Sequence, residues 1–298
     1  MDLRAIAMGL LFAVMWASAF TSTRMIVTAA PPLTALAIRF LLSGLIGVML
    51  ARAMGQSWRL SRAQWRAVII FGLCQNAIYL GLNWIAMQWI EAGLASIIAA
   101  TMPLMVAGIG WFVFGERLRP MGLAGLAVGL VGVAIIMGGR LTGGSNLIGI
   151  ALCFGGALAL AVATLTVRGA STGGNLLMIV GLQMLVGSAA LSIVALAFEP
   201  FHVDWSPRLV VAFVYTLLVP GLLATWVWFL LVGRIGAVRA AAFHFLTPFF
   251  GVAIAALLLN ERLGAYDVIG VAVIMAGILA VQLSKAPPAL TVSPRNSR

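Results

Sequence analysis

Gln75, Tyr79 and Asn83 are spaced four apart in an otherwise apolar stretch, with Asn76 beside the first. On an α-helix that spacing lines three polar side chains along one stripe. Amides and a phenol can hydrogen-bond an ammonium or a carboxylate while staying neutral. The same groups also bond one helix to another, so the stripe reads either as a cavity wall or as interhelical glue. His244 is the one histidine inside an apolar stretch, four residues before Pro248. It can contact a solute, titrate near neutral pH, or bond a carbonyl that the proline frees. Trp16 stands near Ser18 and Ser22, and Thr101 and Thr247 lie just ahead of Pro103 and Pro248. Each proline removes a backbone donor, which makes the pair candidate gating hinges. The candidate binding set is therefore Trp16, Gln75, Asn76, Tyr79, Asn83, Thr101 and His244.

Covalent chemistry is harder to assemble. The chain has seven acidic residues, none near the middle of an apolar run. No paired carboxylates, no His-x-x-x-His spacing and no serine with a nearby base can be found. The single lysine, Lys285, follows Ser284 rather than a glycine-rich turn, so no phosphate-binding loop exists on these residues. Cys74 and Cys153 both sit in apolar runs and read as small buried hydrophobes, not as a disulfide or a metal pair. The expectation is no enzyme, no metal and no cofactor.

The elements that must hold these side chains follow from composition. Of 298 residues, 63% are hydrophobic and 8% charged, where soluble domains carry roughly 25% charged residues. So little charge cannot cover a water-facing surface, which excludes a soluble enzyme and a disordered chain. A bilayer crossing needs about 20 apolar residues. Ten such runs occur, at roughly 4–27, 33–53, 64–87, 91–114, 120–138, 146–168, 173–197, 207–233, 237–259 and 264–284. Turn chemistry separates them at Pro31-Pro32, Gly55-Gln56-Ser57, Gly143-Gly144-Ser145, Gly173-Gly174 and Ser206-Pro207. Ala17-Ser18-Ala19 imitates a signal-cleavage site, but the apolar run continues through Thr23, which favours a retained first helix. Residues 286–298, rich in Pro and Ser, are expected to be a disordered tail.

The net charge of +11 is spread singly along the chain and forms no basic face for nucleic acid. With a cytoplasmic N-terminus, thirteen of the 18 basic residues fall in inner segments and four in outer ones. By the positive-inside rule both termini face the cytoplasm. Arg39 alone lies inside a span and demands a partner, with Glu91 as a candidate. Trp58, Trp65, Trp89 and Trp205 fall at span ends as interface anchors, whereas Trp16, Phe20, Tyr79, Trp226 and Trp228 lie deeper and can line a pocket.

Shifting the chain by 145 residues aligns Pro103 with Pro248, Glu116-Arg117-Leu118 with Glu261-Arg262-Leu263, Gly125 with Gly270 and Gly132 with Gly277. The expected units are residues 1–142 and 143–285, five spans each. An odd number of spans makes the second copy enter from the opposite side, so the fold class expected is an all-α membrane protein of ten transmembrane helices in two inverted five-helix repeats. Secondary transporters are commonly built this way, with the substrate near midplane between the halves. Gly125 and Gly129, with Gly270 and Gly277, are expected to let spans five and ten pack closely.

Trp16-Ala17-Ser18-Ala19-Phe20 resembles the Trp-Gly-x-x-Phe pattern of the EamA family in the drug/metabolite transporter superfamily, with alanine in place of the usual glycine. Pro32, Ala35 and Arg39-Phe40 resemble its second-span signature, and Pro103 followed by Gly115-Glu116-Arg117-Leu118, repeated as Asn260-Glu261-Arg262-Leu263, matches its most recognisable element. Within the family, the deep aromatics and the polar run of span three look most like the YddG-type exporters of aromatic and other neutral amino acids. The resemblance implies a secondary transporter in a bacterial inner membrane, exporting small neutral solutes such as amino acids by alternating access, without an evident coupling group. Its partners would be the small-molecule substrate and the lipid bilayer, with no nucleic acid, as a monomer or homodimer. Other metabolites or drugs remain alternative cargoes; an intramembrane enzyme on a lipid-linked substrate, or a channel, are the alternatives of another class.

Overall fold

The computed structural model describes residues 3–113, 115, 119–142, 146–166, 174–235, 242–262 and 264–284. Glu116, Arg117 and Leu118, Leu263, the Gly143-Gly144-Ser145 break at the 142/143 boundary, Arg168, Arg239, Lys285 and the 286–298 tail lie outside the described residues.

The described chain is all helix, without a strand. Eight helices are long and apolar enough to cross a bilayer, and two shorter apolar helices follow them. In chain order we name the spans α1 (Leu3–Val27), α2 (Pro32–Ala53), α3 (Arg62–Ala86), α4 (Ala92–Phe112), α5 (Pro120–Thr142), α6 (Leu147–Thr166), α7 (Leu176–Phe198), α8 (207–235), α9 (242–259) and α10 (Ala265–Ser284). Their ends carry ordinary stop and start chemistry. Ser61 begins α3 with a reciprocal capping box to Gln64, Ser206 caps Leu209 at the start of α8, and Pro32 opens α2 where its missing N–H costs nothing.

Four spans are not regular. In α4 the helix breaks at Thr101 (φ −76°, ψ −11°) before Pro103. In α9 a 3-10 turn over Ala242–Leu246 ends at Leu246 (φ −78°, ψ −11°) before Pro248. Each proline sits in the first turn of a new helix, where it forfeits no bond. The other two irregularities are π-helical: Gly72–Tyr79 within α3 and Leu217–Leu223 within α8. Pro220 cannot donate to the carbonyl of Thr216 four residues back, and a π turn moves the bonding to five. The π turn of α3 contains no proline; α7 presses on it instead, so that a Cβ on Gly72 would lie 2.7 Å from Val186 Cβ and 2.8 Å from the Gln183 carbonyl oxygen.

Small residues decide which helices approach. α5 meets α10 so closely that a Cβ on Gly125 would lie 2.7 Å from the Gly277 carbonyl, and one on Gly132 would lie 3.0 Å from that of Gly270. Such contact replaces the hydrophobic drive that lipid does not supply. α2 meets α7 through Gly44, Gly47 and Gly181, and Ser188 donates to the Ala37 carbonyl across that seam at 2.8 Å. The interior between these pairs is filled by α1, α3, α4, α6, α8 and α9.

Candidate functional site

α1 carries Phe12 and Trp16 one turn apart, on the face that meets α8 and α9. Their rings lie 5.8 Å apart, and Trp228 of α8 stands 4.8 Å from Phe12. His244, in the 3-10 turn of α9, is enclosed by all three rings: 4.9 Å from Phe12, 5.6 Å from Trp16 and 4.9 Å from Trp228, each edge-on. A T-shaped approach sets the positive ring edge against a π face, which suits both partners. Gly9 leaves the room that the Phe243 ring fills. Trp16, Trp228 and His244 are only half-buried, so packing does not use up their faces. This chamber joins a helix from the first half of the chain to two from the second.

A run of hydroxyls continues from it along α1. Ser18 Oγ and Tyr215 Oη share a hydrogen bond of 2.7 Å, and Thr216 donates to Ser22 at 2.7 Å. Thr21 and Thr247 have buried hydroxyl oxygens without a partner, as do Ser43 Oγ and Arg39 Nε. A buried polar group of that kind lacks the hydrogen bond that ordinarily compensates its desolvation.

The polar run of α3 is divided between neighbours. Asn76 donates to the Gln183 carbonyl on α7 at 2.9 Å and is 2% exposed. Asn83 donates to the Tyr79 carbonyl at 2.8 Å and accepts from Cys153 Sγ on α6 at 3.3 Å. Tyr79 is buried near Gly156 of α6, while Gln75 stays half-buried. The division follows the helix faces: Tyr79 and Asn83, one turn apart, both lie against Gly156 of α6, and Asn76 lies on the face toward α7. Thr101 bonds back to the Ile98 carbonyl at 2.6 Å. The structure thus brings Trp16 and His244 together and sets Asn76 and Asn83 on helix contacts. Trp226, two residues from Trp228, turns to the outside at 60% exposure. Sequence reasoning missed Phe12 and Tyr215; Phe12 was within reach, being one turn before Trp16 on the same stripe.

At the end of the bundle carrying the α1–α2, α3–α4, α7–α8 and α9–α10 connections, two carboxylates cap neighbouring helices. Glu199 accepts from the backbone N–H groups of Leu33 and Thr34 at 2.7 Å each, and Glu261 from those of Ala92 and Gly93 at 2.7 and 2.9 Å. Both complete the orphan donors of a helix start and oppose its dipole. Burial pushes the Glu261 carboxyl up from its ordinary range, against the pull of those two N–H groups. Arg24 donates to the Met87 carbonyl. Between these groups lies a cavity of about 460 Å³ lined by Arg24, Glu91, Arg208 and Glu261. Arg39 therefore does not meet Glu91, which stands in this cavity.

Comparison with known proteins matches the EamA-like transporter family model twice, over residues 3–138 and 147–283. The chain is 27% identical over 281 residues to the "Uncharacterized transporter YvbV" of Bacillus subtilis, covering 94% of this chain and 92% of that one. It is 26% identical over 294 residues to a "Probable amino-acid metabolite efflux pump" of Escherichia coli, covering 91% and 92%. Over 115 residues it is 30% identical to the "Aromatic amino acid exporter YddG" of Ancylobacter novellus, covering 39% of this chain and 40% of that one.

Proposed function

The chain belongs to the EamA-like transporter family, and from that premise we propose that it exports neutral amino acids, aromatic ones included, by alternating access. The observation that carries this reading is the chamber in which Phe12, Trp16 and Trp228 surround His244. It lies where α1 of the first half meets α8 and α9 of the second, so movement of one half against the other changes its access. Partly accessible ring faces offer an apolar side chain contact without imposing one shape, and a methylene more or less changes binding by only a few kcal/mol. A broad substrate range follows.

The two halves act as inverted units in the bacterial inner membrane, with both termini cytoplasmic. The breaks at Thr101 and Leu246, each two residues before a proline, serve as hinges. The ties of Glu199 to α2 and of Glu261 to α4 close the outer end and must part when it opens. Asn76, Asn83, Tyr79, Gln75 and Thr101 position the α3 and α4 walls around the solute. No Asp or Glu falls in the middle of a span, so transport runs down the substrate gradient rather than on protons.

Counterflow in proteoliposomes tests this. Vesicles loaded with unlabelled phenylalanine, methionine or threonine should take up the labelled solute without any ion gradient. Trp16→Ala and His244→Ala should each lower that uptake at least tenfold. Uptake that appears only with a pH gradient would transfer coupling to His244, and none under any gradient would sink the amino-acid reading.

A further inference from the structure

Arg39 projects from α2 toward the π turn of α8. It is 9% exposed, and its only recorded neighbour interaction is the Phe40 ring, 5.2 Å from its Cζ. It forms no hydrogen bond or ion pair with any described residue, and its Nε is buried without a partner. Ser43, one turn along the same face, is 1% exposed, and its hydroxyl is also unpartnered. Across from both stands Gly221, where a Cβ would lie 3.5 Å from Arg39 Nη2 and 3.7 Å from Ser43 Oγ. Glycine thus leaves methyl-sized room bounded by a guanidinium edge and a hydroxyl, which widens only if α2 and α8 part.

An unpaired cation inside a bilayer protein is strongly unfavourable, and such residues persist where they face a partner or a pathway. The unused donors here are the Nε and Nη2 edge of the guanidinium, the fork that takes both oxygens of a carboxylate in parallel. Ser43 can add a third donor to the same group. Phosphate would need more donors than this gap supplies, and an apolar ligand would leave all of them unpaired. We propose that Arg39, Ser43 and Gly221 form a carboxylate-binding subsite between α2 and the π turn of α8. The proposal rests on the carrier reading above and specifies its cargo: solutes bearing a free carboxylate, amino acids among them, over their amides and decarboxylated amines.

The test compares four probes on purified protein: phenylalanine, 3-phenylpropionate, phenylalaninamide and phenethylamine. Ligand-induced thermal stabilisation reads binding, and counterflow competition reads transport. The wild type should prefer the two carboxylates. Arg39→Met should weaken them at least tenfold and leave the amide and amine nearly unchanged. Arg39→Lys, which keeps charge but loses the fork, should fall between. Gly221→Ala keeps Arg39 and fills the gap with a methyl group, so it should also lose carboxylate preference. A purely structural Arg39 would behave differently: Arg39→Met would lower the ligand-free Tm and keep the wild-type preference. The proposal expects a ligand-free Tm unchanged or raised, since an unpaired buried charge is gone. Should Arg39→Met fail to fold, Gly221→Ala decides. If 3-phenylpropionate stabilises the wild type but not Arg39→Met while phenylalanine does neither, the subsite stands and the amino-acid reading falls. Preference retained in Arg39→Met or Gly221→Ala, or no carboxylate binding by the wild type, overturns the subsite.

Discussion

The π turns of α3 and α8 begin at Gly72 and Leu217, positions 145 apart, and a helix lies against each. Against the first lies α7, against the second α2. At corresponding places the first turn has Asn76 and the second has Gly221, again 145 apart. Asn76 reaches out and donates to the Gln183 carbonyl of α7. Gly221 reaches nothing, and opposite it Arg39 and Ser43 keep unpaired polar atoms. The hydroxyls of the two packed helices differ in the same sense: Ser188 on α7 is bonded to Ala37, whereas Ser43 on α2 is unbonded. One seam is closed by its own side chains, and the other lacks the group that would close it. A local motif thus supplies a structural joint in one half and leaves room for a ligand in the other.

The sharpest break in that comparison should come at the closed seam. Gly187 of α7 sits directly against Asn76, so that a Cβ there would overlap the Asn76 Cβ and lie 3.0 Å from the Gly72 carbonyl. Neither neighbour is the free end of a flexible chain. Gly187→Ala should therefore lower stability by about 1–3 kcal/mol, read as a shift in SDS-induced unfolding. Gly221→Ala meets Arg39 and Ser43 at ordinary van der Waals distance and presses only on its own Thr216 carbonyl, at 3.1 Å. It should cost clearly less. Equal losses in the two variants would mean that the seams are packed alike.

Much of this architecture is legible in the sequence. Apolar runs of bilayer length, separated by Pro, Gly and Ser, place the spans. Pro103 and Pro248 announce the breaks in α4 and α9, because a proline forfeits a helix bond unless it sits in a first turn. Trp16 and His244 stand out as a deep aromatic and a lone span histidine. The α3 amides show why the rest is harder. The spacing places them on faces but not against neighbours: that one face meets α6 and the other α7 is a tertiary fact, as is the π turn, which has no proline to betray it. Trp226 and Trp228 look equivalent in composition, yet two residues of helix turn one outward and one into the chamber. Arg39 announces its need for a partner, but its isolation depends on where Glu91 ends up after folding, and that is the cavity it shares with Arg24, Arg208 and Glu261.

A smaller effect is expected from the bond that closes the first seam. Asn76→Ala removes the side-chain donor to the Gln183 carbonyl across the packed α3–α7 contact, leaving that carbonyl to its place in the α7 helix. Interhelical side-chain bonds in membranes average about 0.6 kcal/mol and reach about 1.7, so a loss near 1 kcal/mol is the expectation for so buried a group. Carboxylate preference should stay at the wild-type value, since this seam is the one without a ligand. A stable Asn76→Ala that lost that preference would place the α3 turn in the pocket and undo the contrast between the two turns.

The smallest stability change should come from Ser43→Ala, the test most specific to the open seam. Ser43 is as buried as Asn76, at 1% against 2% exposure, so burial alone predicts similar costs. Hydrogen bonding separates them. The Asn76 amide is partnered, and its loss removes an interhelical bond; the Ser43 hydroxyl has no partner, and its loss removes none. Removing an unsatisfied buried hydroxyl leaves stability unchanged or raises it by up to about 1 kcal/mol. Carboxylate binding should nevertheless weaken several-fold, because Ser43 supplies one of three donors and Arg39 keeps the other two. Stability and ligand preference then move in opposite directions at Ser43 and only stability moves at Asn76. A Ser43→Ala protein that unfolds as readily as Asn76→Ala would show that both seams are joints and neither is a site.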